Sequence, residues 1–299
     1  METIVVCGAT GKQGSAVLNS LLDSKKFKIV ALTRHPESKK ALAIKKKGVE
    51  VQKADLQNKA SLLKAFEHAY GVYGVTTPET AKGKIDPQME KVQGFNIVDA
   101  CLENNIKHLV LSTVLYISDE QLSIPYVKSK QDIETYVIEN KVPYTFLRPS
   151  SFIDEIGGPY LPIKNHSVIG MADGDAKVPY IACEDIGVFA KMAFEKPEKY
   201  LDKKLNLIAD FLSGDELAIL LNRATNGRIK KHKAPPKWMM KIFAREWLSL
   251  RLFFEKCGRP PYPEEMMAAL INCKKQHPQM LSFERFLELY ADTKLKSTN

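Results

Sequence analysis

The chain has 299 residues, 44% of them hydrophobic and 26% charged, with a formal charge of +9. That length can bury a large core in one large or two closely joined domains. No apolar run approaches the roughly 20 residues that cross a bilayer, so no membrane partner is expected.

Five scattered cysteines, Cys7, Cys101, Cys183, Cys257 and Cys273, form no CxxC pair and have no histidine at ligand spacing. This argues against zinc or another metal and for a reducing, cytoplasmic or nuclear setting. The first strand begins at the third residue, which leaves no room for a signal peptide. The positive charge gathers in SKKALAIKKKG (38–48) and RIKKHKAPPK (228–237). The first reads as a solvated helix face. The second lacks interleaved aromatics, and nucleic acid is not expected as a partner.

In chain order, Thr3 to Cys7 is a short β-branched run that stops at Gly8. Gly8, Gly11 and Gly14 follow at GxxGxxG spacing, and SAVLNSLLDS continues with apolar residues at helical intervals. Strand, glycine turn and helix come in the order that aims free backbone amides at a pyrophosphate; a tight turn without a ligand is the other reading. Strand signals then recur at KIVALTR, VEVQKADL, GVYGVTTP, HLVLSTV and PYTFLRP. Helical patterns lie between them near 36–47, 60–69, 87–103 and 129–139.

This βαβ rhythm predicts an α/β fold: a Rossmann-type, doubly wound parallel sheet over residues 1–150, with strands near 177–182 and 204–209 returning to it. Residues 151–299 read as a smaller, mostly helical, interleaved lobe for substrate or partner.

Cofactors in such sheets bind beyond the carboxyl ends of the strands. Arg34 closes the second strand where NAD-specific sites carry an acid, and Ser38, Lys39 and Lys40 follow it. Cationic donors there suit a 2′-phosphate; an ordinary surface arginine is the alternative. Asp55 and Leu56 end the third strand, where a carboxylate can meet the adenine amino group and leucine can cover the ring. Thr76, Thr77 and Pro78 end the fourth, and Thr113 follows the fifth.

Thirteen residues past Thr113, YVKSK sets Tyr126 and Lys130 four apart on one helical face. An ammonium beside a tyrosine lowers its pKa from about 10, and Ser/Thr, Tyr and Lys together make a proton-transfer set. Pro125 places Tyr126 in the first turn of its helix.

GATGKQG, LTRHP, KADL, VTTPE, KHLVLSTV, KQDIETYVIENKVPYTFLRPSSF, CEDIG and HPQMLSFERFLEL occur in the order seen in the short-chain dehydrogenase/reductase superfamily. The chain most closely resembles the NmrA-like, atypical branch, over nearly its whole length. The resemblance implies an NADP(H) site at Gly8, Thr10, Gly11, Lys12, Gln13 and Gly14, at Arg34, Ser38 and Lys39, at Asp55 and Leu56, at Thr76 to Pro78 and Lys130, and at the turn around Phe152. Glu155 stands in FIDE where the family often carries asparagine.

Many NmrA-like proteins lack the catalytic tyrosine and are regarded as redox sensors, whereas this chain keeps Tyr126. Two functions follow. One is an NADPH-dependent reductase of a carbonyl or quinone, with Tyr126 protonating the oxygen, Lys130 lowering the tyrosine pKa and Thr113 orienting the substrate. The other is a non-catalytic NADP(H) sensor acting through a protein partner.

Overall fold

The protein is described by a computed structural model over residues 1–80 and 84–295. Its elements run β1 (Thr3–Val6), α1 (Lys12–Ser24), β2 (Lys28–Thr33), α2 (Lys39–Lys45), β3 (Glu50–Lys53), α3 (Lys59–Ala65), β4 (Gly71–Val75), α4 (Pro87–Glu103) and β5 (His108–Ser112). There follow α5 (Pro125–Glu139), β6 (Tyr144–Pro149), β7 (Ser151–Phe152), β8 (Ile163–Lys164), β9 (Ser167–Ile169), β10 (Lys177–Ile181), α6 (Cys183–Glu195) and α7 (Pro197–Tyr200). The chain ends with β11 (Lys203–Leu207), β12 (Asp210–Ser213), α8 (Gly214–Ala224), β13 (Lys231–Lys233), α9 (Lys237–Phe243), α10 (Arg245–Cys257), α11 (Glu264–Gln276) and α12 (Phe283–Lys294).

The chain forms two compact units. The first comprises residues 1–115, 125–148 and 183–205. It carries a seven-stranded sheet in the order β11-β6-β5-β4-β1-β2-β3, with β1 to β6 paired in parallel. The chain reverses direction across the sheet between β1 and β4, the switch point of a Rossmann fold. Val5, Val30, Val72, Leu109 and Phe146 alternate onto one face and meet Leu62, Phe66, Ile97, Val98 and Ile133 from α3, α4 and α5. On the other face α1 packs against α6. The central strands β1, β2, β4, β5 and β6 are buried on both sides, which is why they read as near-continuous apolar runs rather than alternating ones.

The helices start and stop where local chemistry dictates. Asp86 caps α4 by accepting the amides of Gln88 and Met89, ahead of Pro87 at the first helical position. Pro125 likewise opens α5, four residues before the expected start, so Tyr126 does sit in the first turn.

The second unit comprises residues 116–124, 149–182 and 206–299. It contains two three-stranded sheets, β12-β10-β7 and β13-β9-β8, with helices α8 to α12. One expectation is corrected here. The strand at 177–181 does not return to the main sheet; it pairs antiparallel with β12 and parallel with β7. The run 203–207 does join the main sheet, at its edge beside β6.

Candidate functional site

The glycine turn is shaped by close backbone approach. Gly8 has φ +61°, a left-handed conformation, and its amide plane turns so that Gly11 N–H donates to Gly8 O at 2.8 Å. A Cβ on Gly14 would lie 2.2 Å from Gly8 O and 2.5 Å from its carbonyl carbon, so the helix can start this close to the turn only with glycine there. Gly11 occupies the N-cap of α1 without a side-chain hydrogen bond, and the first turn carries no acid. The first helical bond runs from Ser15 N–H to Gly11 O, which leaves the Gln13 and Gly14 amides outside the helical ladder. Gly8 and Gly11 are exposed, so this thirteen-residue helix presents its positive end and free donors to solvent.

At the end of β2, Arg34 and Lys39 are exposed and have no carboxylate partner among the described residues. Lys40 Nζ donates to Thr10 O at 3.3 Å and ties α2 to the glycine turn. Ser38 is the N-cap of α2: its hydroxyl accepts from Ala41 N–H at 3.3 Å, which leaves only its own O–H to donate.

After β3, Asp55 accepts from Gln57 N–H at 3.0 Å in a local turn. Ser61 accepts the Asp55 amide and donates to the Asp55 and Asn58 carbonyls, and Asn96 Nδ2 holds Leu56 O at 2.9 Å. Ser61 and Asn96 thus set the turn that carries Asp55 and Leu56; neither had a legible signal in the sequence.

At the ends of β4 and β5 the expected roles change. Lys130 is 7% exposed; its ammonium lies 2.8 Å from Glu90 Oε1 and donates to Thr76 Oγ1 at 2.8 Å and to Thr76 O at 3.1 Å. Glu90 is fully buried and also accepts from Thr76 and Ser129. The ammonium that was to lower the tyrosine pKa is therefore neutralised by Glu90. The Tyr126 phenol is pushed up, chiefly by burial and further by the Glu90 charge.

The Thr113 hydroxyl donates to Glu134 at 2.7 Å, and Arg148 grips the same carboxylate, so the hydroxyl sits in a buried ion-pair network. Gln13 turns its side-chain oxygen to Ser112, at 2.6 Å, and to Tyr73, at 3.3 Å, leaving its main-chain amide for an anion. Thr77 N–H is held by Gln93 at 3.1 Å, and Pro78 O accepts from Asp86 N–H at 2.7 Å.

Glu90, Gln93, Ser129, Glu134 and Arg148 were not singled out from the sequence. Glu134 had a signal, since it extends the four-residue stripe of Tyr126 and Lys130 along α5. Glu90 and Gln93 lie on the buried face of α4 with Gly94, Ile97 and Cys101, polar positions in an apolar stripe. Phe152 and Glu155 lie in the second unit, on β7 and on the 3₁₀ turn Ile153–Glu155.

Among the described residues no group of His, Cys, Asp and Glu could hold a metal, and no helix is long and apolar enough to cross a membrane. The residues present fit a dinucleotide bearing an extra phosphate: free helix-start amides, a glycine cradle that a Cβ would fill, and unpaired Arg34 and Lys39.

Fold and turn together define a Rossmann-type protein with a dinucleotide-shaped strand-end site. More narrowly, the NmrA-like family model matches residues 1–283, and the chain belongs to that family. It is 25% identical over 304 residues to an NmrA-like family domain-containing protein of Dictyostelium discoideum, covering 96% of this chain and 97% of that one. In structure it resembles the NADPH-dependent quinone oxidoreductase of Escherichia coli complexed with NADPH, with TM-score 0.74, 20% identity and 96% and 99% of the two chains covered. It likewise resembles NmrA, a negative transcriptional regulator, in complex with NADP, with TM-score 0.75, 19% identity and 97% and 95% covered.

Proposed function

We propose that this chain binds NADP(H) and acts as an NADPH-dependent reductase, and that its substrate is a quinone. The observation that carries the cofactor is Arg34, a cation without a carboxylate partner among the described residues, at the strand end where an acid would select NAD. Gln13 and Gly14 amides hold the pyrophosphate, Arg34 and Lys39 the 2′-phosphate, and Asp55 and Leu56 the adenine. When bound, the cofactor supplies a hydride.

What Tyr126 can do is limited by its surroundings. With Lys130 neutralised by Glu90 and the phenol pushed up, Tyr126 stays protonated and gives up its proton reluctantly. It can donate a hydrogen bond to a substrate oxygen but is a poor general acid. That favours a quinone, whose reduced oxygen spreads its charge over a ring, over a simple carbonyl, whose alkoxide needs a full proton. The resemblance to the quinone oxidoreductase supports the reading at the level of fold.

The same Lys130–Glu90 contact favours a second reading, a non-catalytic NADP(H) sensor with a protein partner, because it takes apart the tyrosine–lysine pair.

The two separate on mixing the protein with NADPH and a panel of quinones and aldehydes while following cofactor absorbance. Quinones should be reduced and simple aldehydes far less. Tyr126→Phe should lower kcat/KM for a quinone about tenfold, the loss of one hydrogen bond, whereas a loss of about 10² to 10⁴ would mark general-acid catalysis instead. Absence of turnover across the panel with NADPH bound would leave the sensor.

A further inference from the structure

In the second unit, α9 is pinned from beneath and turns its apolar side outward. Met240 is 5% exposed, with its sulfur 3.6 Å from the guanidinium of Arg251, itself 3% exposed. Arg251 also donates to Pro235 O just before the helix, to Asp173 at 2.5 Å and to Glu255 at 2.7 Å, and Lys237 at the helix start pairs with Glu255 at 2.6 Å. With Met240 facing in, a helix of 3.6 residues per turn sends positions 238 and 242 to the opposite side. Trp238 is 67% exposed and Ile242 63%, with Met239 at 38% on one flank. A tryptophan and an isoleucine are thus held out in water by a helix that a partly buried ion-pair network fixes in place.

The chain segment around this ridge is basic, although Asp173 and Glu255 pair with Lys237 and Arg251 at its base. From Arg228 to Arg245 the chain carries seven lysines and arginines and no aspartate or glutamate. On β13, Lys231 and Lys233 face out while His232 turns in against Gly170 and Gly214. Lys231, Lys233, Lys241 and Arg245 have no carboxylate partner among the described residues. The groove along α8 and β13 takes in no residue of α9.

We propose that α9 and its basic flank are a peripheral docking surface for an anionic lipid bilayer. Trp238 and Ile242 enter the boundary between headgroups and acyl chains, and the unpaired cations meet the headgroups. Tryptophan prefers that boundary, and an interfacial helix needs a short apolar face with basic neighbours rather than a spanning run. The expectation of no membrane partner rested on the missing span alone. An exposed tryptophan and isoleucine beside basic side chains without carboxylate partners among the described residues suit a fluid anionic surface, which needs neither a complementary recess nor fixed hydrogen bonds.

The test is co-sedimentation of the full chain with vesicles of phosphatidylcholine alone or with about a third phosphatidylserine, an amount typical of an anionic leaflet. Binding is expected to the mixed vesicles only and to weaken as salt rises. Trp238→Ala with Ile242→Ala should lower it about tenfold or more, and Lys241→Glu with Arg245→Glu should abolish it. Unchanged melting temperatures show that these variants fold. Equal binding to both vesicles, or wild-type binding by the Trp238/Ile242 variant, overturns the proposal. So does failure to bind vesicles with salt-sensitive retention on polyglutamate, which points to an acidic protein, or concentration-dependent dimerisation lost in the variant, which points to a second copy.

Discussion

Lys130 Nζ stands 2.8 Å from Glu90 Oε1, with the carboxylate wholly buried and the lysine nearly so. Removing one partner of such a pair strands the other charge in the core. Glu90→Gln should therefore destabilise the protein by about 3–5 kcal/mol, read by urea unfolding. Adding Lys130→Met should recover part of that loss, because the stranded ammonium is gone. A loss below about 1 kcal/mol would mean that water reaches the pair.

His108 gives the first unit a pH response. Thr145 donates its hydroxyl to Tyr200 O at 2.7 Å, so it must accept from His108 Nε2–H, also at 2.7 Å. Nδ1 is then a bare nitrogen in the core beside the Phe194 ring, without a hydrogen-bond partner. Burial lowers the His108 pKa from its ordinary 6.5 to about 4. Below pH 6.5 the unfolded chain binds a proton that the folded one refuses, so stability falls as pH drops from about 6.5 to about 4 and levels off beneath. At about 1.4 kcal/mol per pH unit the contribution is at most roughly 3.5 kcal/mol. Urea midpoints between those pH values should slope less in His108→Gln than in the wild type; parallel slopes would assign the effect elsewhere.

Cofactor choice should follow Arg34. A charge-assisted phosphate contact contributes about 1.5–3 kcal/mol, so NADP(H) should bind roughly ten- to a hundredfold more tightly than NAD(H). Calorimetry on Arg34→Ala should show that preference collapse with NAD(H) affinity unchanged. Equal affinities in the wild type would refute the assignment.

Gly14→Ala should cost cofactor binding before it costs the fold. Its methyl would fall 2.2 Å from Gly8 O, and backbone must move to admit it. At Gly11 the corresponding approach is 3.2 Å, to the same oxygen, and a small shift suffices. The ordering expected in a thermal-shift titration with NADP is wild type, then Gly11→Ala, then Gly14→Ala with little or no stabilisation. Equal shifts in all three would mean that the turn does not bind the phosphates.

Local order was legible in the sequence, since it rests on local physics. The β-branched runs, the glycine spacing and the apolar periodicities announced the strands, the tight turn and the helices, because each is imposed by neighbours along the chain; the parallel sheet followed from the strand–helix alternation. Pro125 likewise announced that Tyr126 sits in the first turn of α5. The strand at 177–181 was legible as a strand, but its partners were not, because pairing is chosen by elements distant in sequence.

The chemistry of the Tyr126–Lys130 pair also lay beyond the local pattern. Spacing put the two on one helical face, yet whether the ammonium faces a phenol or a carboxylate depends on Glu90, forty residues upstream of Lys130 on α4. Thr113 met Glu134, itself held by Arg148, in the same way. A buried charge must be matched by whatever the packing brings beside it, and only the tertiary structure decides what that is.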